Sequence, residues 1–235
     1  GIVGKRKVDP KFDDQRNLPP VIPKSENQRI ALQALYDPSI QVVILDGFAG
    51  SGKSSLSAWT AADLFRRNEI DKIIVSRPYV QTGKSTGLKP GTILEKLYPY
   101  VRNILDRVEE RIGKGAFLNA LKDGQRGDIE IQEIESIRGR SFDEPSFLII
   151  DEAQQTTREE MLSIITRVGE DCKLVLCGDP KQKDIQGESG LEWFTRFYQK
   201  HSIRGVAHIH FTKDDCVRSG FVKDVLFALD DEPNS

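Results

Sequence analysis

Cysteine, long apolar runs and an excess of charge of one sign are scarce in this 235-residue chain. Its three cysteines, Cys172, Cys177 and Cys216, are an odd number without metal-ligand spacing, which argues against a disulfide scaffold and against a structural zinc site. Cys172 and Cys177 flank or lie in a strand-like run, so buried free thiols are expected, in a reducing cytoplasm. No apolar stretch approaches the roughly 20 residues that span a bilayer. Residues 1–16 lack the apolar core of a secretory signal, so no membrane partner is expected. The formal charge of −2 argues against a generally basic nucleic-acid binder and leaves room only for a local patch. Internal repeats and low-complexity segments are absent as well.

What is present is an ordered series of apolar runs ending in chemistry-bearing residues. Val42, Val43, Ile44 and Leu45 lead into Gly47, Phe48, Ala49, Gly50, Ser51, Gly52, Lys53 and Ser54, followed by Ser55. This is the G-x-x-x-x-G-K-S pattern in the strand–loop–helix context that a phosphate-binding loop requires. The glycines let successive N–H groups face one anion, and the helix that follows adds its positive end. Lys53 would reach the β- and γ-phosphates of ATP, and the Ser54 hydroxyl would hold Mg²⁺.

The remaining pattern alternates helices and strands. Residues 1–24, with Pro10, Pro19, Pro20 and Pro23, read as an extended arm. Ser25 is the expected N-cap of a helix to Tyr36, with Gln28 closing a capping box. Strands are expected at 42–45, 72–76, 147–150, 174–177 and 206–211. Residues 128–134 alternate as a strand or hairpin arm would. Helices are expected up to about Arg67, over 93–111 with a bend or break at Pro99, and near 115–122. Further helices are expected over 158–168, 191–198 and 217–229. Residues 25–229 thus form one α/β domain with a mostly parallel sheet covered on both faces, and 230–235 a polar tail. Ligands on such sheets bind beyond the carboxyl ends of the strands.

Two more strand ends carry polar residues. Phe147 to Ile150 run into Asp151 and Glu152; the first suits Mg²⁺, and the second suits a general base for the attacking water. Leu174 to Cys177 run into Gly178, Asp179, Pro180, Lys181 and Gln182. Gln182 is placed to meet a γ-phosphate or the attacking water, although Asp-Pro is also an ordinary turn starter. Gln28 has two readings: a helix cap, or an amide that meets the Watson–Crick edge of adenine with one donor and one acceptor.

These three motifs resemble motifs I, II and III of superfamily 1 helicases, and the chain as a whole resembles the PhoH family of P-loop ATPases. The resemblance rests on Ser76-Arg77-Pro78, Gly83, Gly87-Leu88-Lys89-Pro90-Gly91 with Glu95-Lys96 and Pro99-Tyr100, and Ile137-Arg138-Gly139-Arg140-Ser141. Asp151-Glu152-Ala153-Gln154-Gln155-Thr156-Thr157 and Asp215-Cys216-Val217-Arg218 complete it. It covers roughly residues 20–229 and implies a RecA-like αβα sandwich that hydrolyses ATP. Members of the family are named for phosphate starvation, and some are linked to RNA metabolism. The chain departs from the family at Lys181 and Lys183 beside Gln182, and at Ser219, where histidine is expected. It carries no fused nuclease segment, so RNA cleavage by this chain alone is not expected.

Superfamily 1 motors hold ATP between two lobes, one of which supplies arginines, and this chain has length for one lobe. Charge on the transferred phosphoryl group needs a cation opposite the P-loop, and an arginine finger is worth roughly 10³ to 10⁵ in rate. The expectation is therefore a homo-oligomeric ring, most simply a hexamer. Arg218 is the candidate finger in cis, and Arg138 and Arg140 are candidates across the interface; an ordinary surface salt bridge is the alternative for each. Residues 72–102 carry Lys72, Arg77, Lys84, Lys89, Lys96 and Arg102 against Glu95 alone, with Tyr79, Tyr98 and Tyr100 among them. Basic groups interleaved with aromatics suit single-stranded RNA or DNA. Arg77, Lys84, Lys89 and Lys96 are the candidate contacts, against a solvated loop or subunit contact. The leading expectation is an Mg²⁺-dependent ATPase coupled to nucleic acid. The alternative is an ATP-gated assembly module with slow turnover, and a small-molecule kinase stands behind both.

Overall fold

A computed structural model describes residues 18–78 and 92–233. The helices are α1 (Glu26–Tyr36), α2 (Lys53–Arg66), α3 (Ile93–Ile112), α4 (Lys114–Leu121), α5 (Ile134–Arg138), α6 (Arg158–Arg167), α7 (Gly190–Lys200) and α8 (Gly220–Asp231). The strands are β1 (Val42–Gly47), β2 (Lys72–Ser76), β3 (Ile129–Gln132), β4 (Ser146–Ile150), β5 (Cys172–Gly178) and β6 (Val206–Phe211). They form one sheet in the order β3-β2-β4-β5-β1-β6, and every pairing is parallel.

The two-faced burial follows from the apolar runs. Val43, Leu45, Ile73, Val75, Phe147, Ile149, Val175 and Cys177 point to one side and pack under α1 to α4. Val42, Ile44, Ile74, Leu148, Ile150, Leu174 and Leu176 point to the other side and pack under α5 to α7. Successive strand residues face opposite ways, so the central strands of a sheet covered on both sides are near-continuous apolar runs. The α/β sandwich expected from the sequence is therefore the observed fold. Cys172 and Cys177 are buried free thiols, as expected, and burial pushes both up to about 12.

Four local expectations are sharpened or corrected by the structure. Of the strand or hairpin arm expected over 128–134, the strand forms: β3 runs parallel to β2, with Ile74 opposite Glu130, and its chain continues directly into α5, a helix that the pattern does not announce. The capping box on α1 is half made. The Ser25 side chain accepts from the Gln28 N–H (3.2 Å), but the Gln28 side chain turns to Lys24 and the P-loop instead of the cap N–H. Pro99 does not interrupt α3, which runs on from Ile93 to Ile112. Asp230 and Asp231 belong to α8 rather than to a tail, and their carboxylates pair with Lys181 and Lys213. No helix among the described residues is long and apolar enough to cross a membrane.

Candidate nucleotide site

The carboxyl ends of β1, β4 and β5 are neighbours in the sheet, so the three motifs meet although 97 residues separate Ser54 from Asp151. Gly47 makes the turn out of β1 at φ 105°, where a Cβ would lie 2.2 Å from the Phe211 carbonyl oxygen on β6. Gly52 sits at φ 86° with the Gln28 amide 2.9 Å from the position its Cβ would take. Only glycine fits either place. Ser51 closes the loop on itself, its hydroxyl donating to the Phe48 carbonyl (2.7 Å).

Lys53 opens α2. Its Nζ donates to the carbonyls of Gly47 (2.7 Å) and Phe48 (2.9 Å). Burial lowers its pKa, with Cys177, Asp179, Asp151 and Asp46 pulling the other way. The Ser54 hydroxyl donates to Asp151 Oδ1 (3.3 Å), and Arg77 Nη1 lies 4.0 Å from Asp151 Oδ2. Asp151 is raised above the ordinary aspartate range, first by burial and then by the adjacent charge of Glu152. Asp179 is also raised, by burial. Ser54 and Asp151 thus bring two hard oxygen donors together beside a half-buried ammonium. That suits Mg²⁺, which takes one or two protein oxygens and completes its shell with phosphate and water.

Glu152 departs from ordinary backbone geometry, at φ 51° and ψ 42°. A left-handed conformation at a non-glycine residue is costly and must be held by its surroundings. The holder is Gln154, to which the sequence pattern assigns no role. Gln154 is buried; its Nε2 donates to Glu152 Oε2 (2.5 Å), and its Oε1 accepts from the Asp179 N–H (3.2 Å). Gly178 leaves room for it, since a Cβ there would stand 2.7 Å from Gln154 Oε1. Gln155 makes a second bridge, donating to the Gln182 carbonyl (3.0 Å) and to Asp184 Oδ2 (2.8 Å) and accepting from the Asp184 N–H (2.8 Å). The ends of β4 and β5 are therefore locked together through two glutamines. Their only sequence signal is a pair of amides shortly after two acids.

The other candidates fall in different surroundings. Gln28 is buried on α1; its amide donates to the Ser51 carbonyl (2.8 Å) and accepts from the Lys24 N–H (2.8 Å). Gln182 is exposed at the mouth of β5. Arg218 is exposed beside the P-loop: the Val217 N–H donates to the Gly50 carbonyl (2.9 Å), and Arg218 Cγ is 3.2 Å from where a Gly50 Cβ would lie. Arg138 pairs with Glu135 (2.6 Å) and Glu159 (3.4 Å). Arg140 lies towards the β3 edge of the sheet, where it shares the buried Glu130 with Lys72. Lys72 is thus spent on an internal ion pair and leaves the basic patch. Arg77 donates to the Tyr100 carbonyl (3.1 Å) and stands over the Tyr100 ring, and Lys96 is exposed nearby on α3. Lys84, Lys89 and Tyr79 lie outside the described residues.

A second charged group lies behind the P-loop. Asp46, buried at the end of β1, has His210 Nδ1 2.8 Å from Oδ1 and His208 Nε2 2.9 Å from Oδ2. Burial would raise Asp46, but the two β6 histidines outweigh it and hold its carboxyl below the usual range. Among the described residues no group of three or more histidine, cysteine or acidic side chains is arranged to hold a metal by itself.

With the three strand ends shown to converge, the relatives of the chain become informative. The family described as PhoH-like protein matches residues 20–230. The chain belongs to the PhoH family. Protein PhoH of Escherichia coli is 34% identical over 217 residues, covering 92% of this chain and 60% of that protein. Protein PhoH2 of Bacillus subtilis is 40% identical over 194 residues, covering 78% of this chain and 41% of that one. The chain thus spans about two-fifths to three-fifths of the length of these relatives. Among solved structures, the large terminase of a thermophilic bacteriophage, in complex with ADP, superposes with a TM-score of 0.55 at 16% identity, over 90% of this chain and 51% of that one. The bacteriophage HK97 large terminase gives 0.52 at 12% identity, over 83% and 41%. At such identities the likeness concerns the fold alone, that of a RecA-like αβα sandwich.

Proposed function

We propose that this domain binds ATP with Mg²⁺ and hydrolyses it, and that hydrolysis is coupled to RNA or single-stranded DNA in an oligomeric ring. The observation that carries the reading is the convergence of Lys53, Ser54, Asp151 and Glu152 at adjoining strand ends, with the ammonium and both carboxylates within one site. The P-loop amides from Gly47 to Ser54 would cradle the phosphates, with Lys53 drawn off its two carbonyls to the β,γ-oxygens. Ser54 and Asp151 would hold Mg²⁺, which neutralises phosphate charge when bound. Glu152 would take a proton from the attacking water, and Gln182 would orient that water or sense the γ-phosphate. Gln28 would meet adenine after exchanging its contact with Ser51.

The supporting cation in this proposal is Arg218, which the chain itself carries to the P-loop. A neighbour in the ring would add Arg138 or Arg140. Arg138 is the freer, since both its glutamate partners are largely exposed whereas Arg140 is tied to a buried one. Arg77, Lys84, Lys89 and Lys96 would follow the backbone of the strand, with Tyr100 as a stacking surface. The test is ATP turnover by the purified chain with and without single-stranded RNA and DNA, alongside light scattering for subunit number. Turnover stimulated by nucleic acid in an oligomer is the expected result. Slow turnover indifferent to nucleic acid, with ATP-dependent assembly, would favour the gated module instead. No ATP-dependent behaviour of either kind would end both.

A further inference from the structure

Helix α8 does not belong to either hydrophobic layer. None of its residues is buried, and Phe221 and Leu229 are 81% and 61% exposed. Its inner edge nevertheless rests on the phosphate loop. Leu226 Cδ1 lies 2.6 Å from where a Gly50 Cβ would be, and Phe227 meets Phe48 edge-on with ring centroids 5.6 Å apart. The carboxyl end is fastened by charge. Lys181, in the turn after β5, reaches Asp230 (3.2 Å); Lys213, in the turn after β6, reaches Asp231 (2.5 Å) and Asp230 (3.8 Å) and also stands over the Phe227 ring. Beneath this end lies a cavity of about 480 Å³, bordered by Gly47, Phe48, Asp179, His210 and Asp230. The helix therefore bridges the P-loop and the two turns beside it without filling the space under it.

We infer that α8 is a releasable strap whose ionic latch, Asp230 and Asp231 on Lys181 and Lys213, governs nucleotide access to the P-loop. This rests on the nucleotide reading given above. Two physical points favour release over permanent seating. A helix without buried side chains gains little from the hydrophobic effect, because apolar area removed from water is what anchors a helix to a domain. Exposed ion pairs are weak and screened by salt, so a polyanion approaching the two lysines can displace the carboxylates. Because Leu226 and Phe227 touch Gly50 and Phe48, lifting the latched end frees the loop that must close on phosphate.

The experiment compares the full chain with an Asp230→Asn/Asp231→Asn variant and with Lys213→Ala. Two quantities are read: amide hydrogen exchange of residues 220–231, and the association rate of a fluorescent ATP analogue with Mg²⁺. Both variants should exchange roughly fivefold or more faster in α8, while β1 and β5 stay protected, and should bind the analogue several-fold faster. The parental helix should approach the variants' exchange in 0.5 M salt, on the order of a threefold shorter Debye length than at 0.05 M. Unchanged exchange would remove the latch, and faster exchange with an unchanged association rate would remove its control of access. A parental protein that binds the analogue at the variants' rate overturns the strap alone. If no protein bound it even with α8 released, the nucleotide reading would fall and the strap with it.

Discussion

Two buried charge clusters stand in different parts of the same sheet, and they answer burial in opposite ways. On the edge strand β3, Glu130 is 3% exposed and receives Lys72, Arg140 and the Gln132 amide. Burial would raise its pKa, but those partners outweigh it and hold Glu130 below the ordinary glutamate range. At the carboxyl ends of the central strands, burial first and the adjacent Glu152 second raise the pKa of Asp151, and Arg77 at 4.0 Å does not offset them. Lys53 there donates only to carbonyls among the described residues, and its pKa is lowered. The first cluster is complete and serves stability. The second is paired only loosely, with Arg77 4.0 Å from Asp151 and Lys53 on carbonyls, and a polyphosphate with its metal would complete it. Burial of charge alone therefore does not distinguish a site from a brace; the deficit of partners does.

The largest effect that should follow is at Lys53. Lys53→Ala removes the ammonium from the loop, so ATP affinity should fall by about 100-fold or more, the usual cost of deleting a charge-assisted hydrogen bond in a buried site. Calorimetric titration reads this, and thermal stability should hardly change. Glu152→Gln should keep ATP binding while single-turnover hydrolysis drops by roughly 10² to 10⁴, the usual contribution of a general base. Parental turnover by that variant would show that another group activates the water.

In the β3 cluster the signs should reverse. Glu130→Gln leaves two cations facing a neutral amide, but both can reach water, so the expected loss is about 2–3 kcal/mol in urea unfolding, with ATP affinity unaltered. Its pH dependence follows from the lowered pKa. The stabilisation is present above the unfolded-state value, about 4.3, and is lost as pH falls through the lower folded-state value. Parent and variant should therefore differ fully at neutral pH and converge in acid. A difference that persists in strong acid would mean that Glu130 acts by packing and not by charge. The smallest effect is predicted for Gln154→Ala: about a tenfold fall in kcat with KM nearly constant, since Gln154 positions Glu152 without reaching substrate. A change confined to KM would contradict that role.

Much of the fold is legible in single-strand patterns because each strand of a doubly covered parallel sheet must be apolar on both sides. Residues 72–76, 147–150 and 174–177 are readable for that reason. β3 is deceptive because Glu130 and Gln132 imitate a half-exposed strand; only Lys72 and Arg140, distant or on a different element, make an acid tolerable there. Gln28 resembles a local cap because the acceptor of its amide, the Ser51 carbonyl, is 23 residues distant.

The phosphate loop, the acids after the apolar runs and the parallel α/β architecture were determined by the sequence itself, because each depends on residue types at fixed short spacing. Which charges are satisfied and which are left wanting was decided only by the tertiary structure. Lys72 and Arg140 were set beside Glu130, Gln154 against Glu152 and the β5 end, and α8 across Gly50 by the folding of the chain in space. Coulomb and hydrogen-bond energies depend on distances of a few ångströms, and separation along the chain does not record those distances.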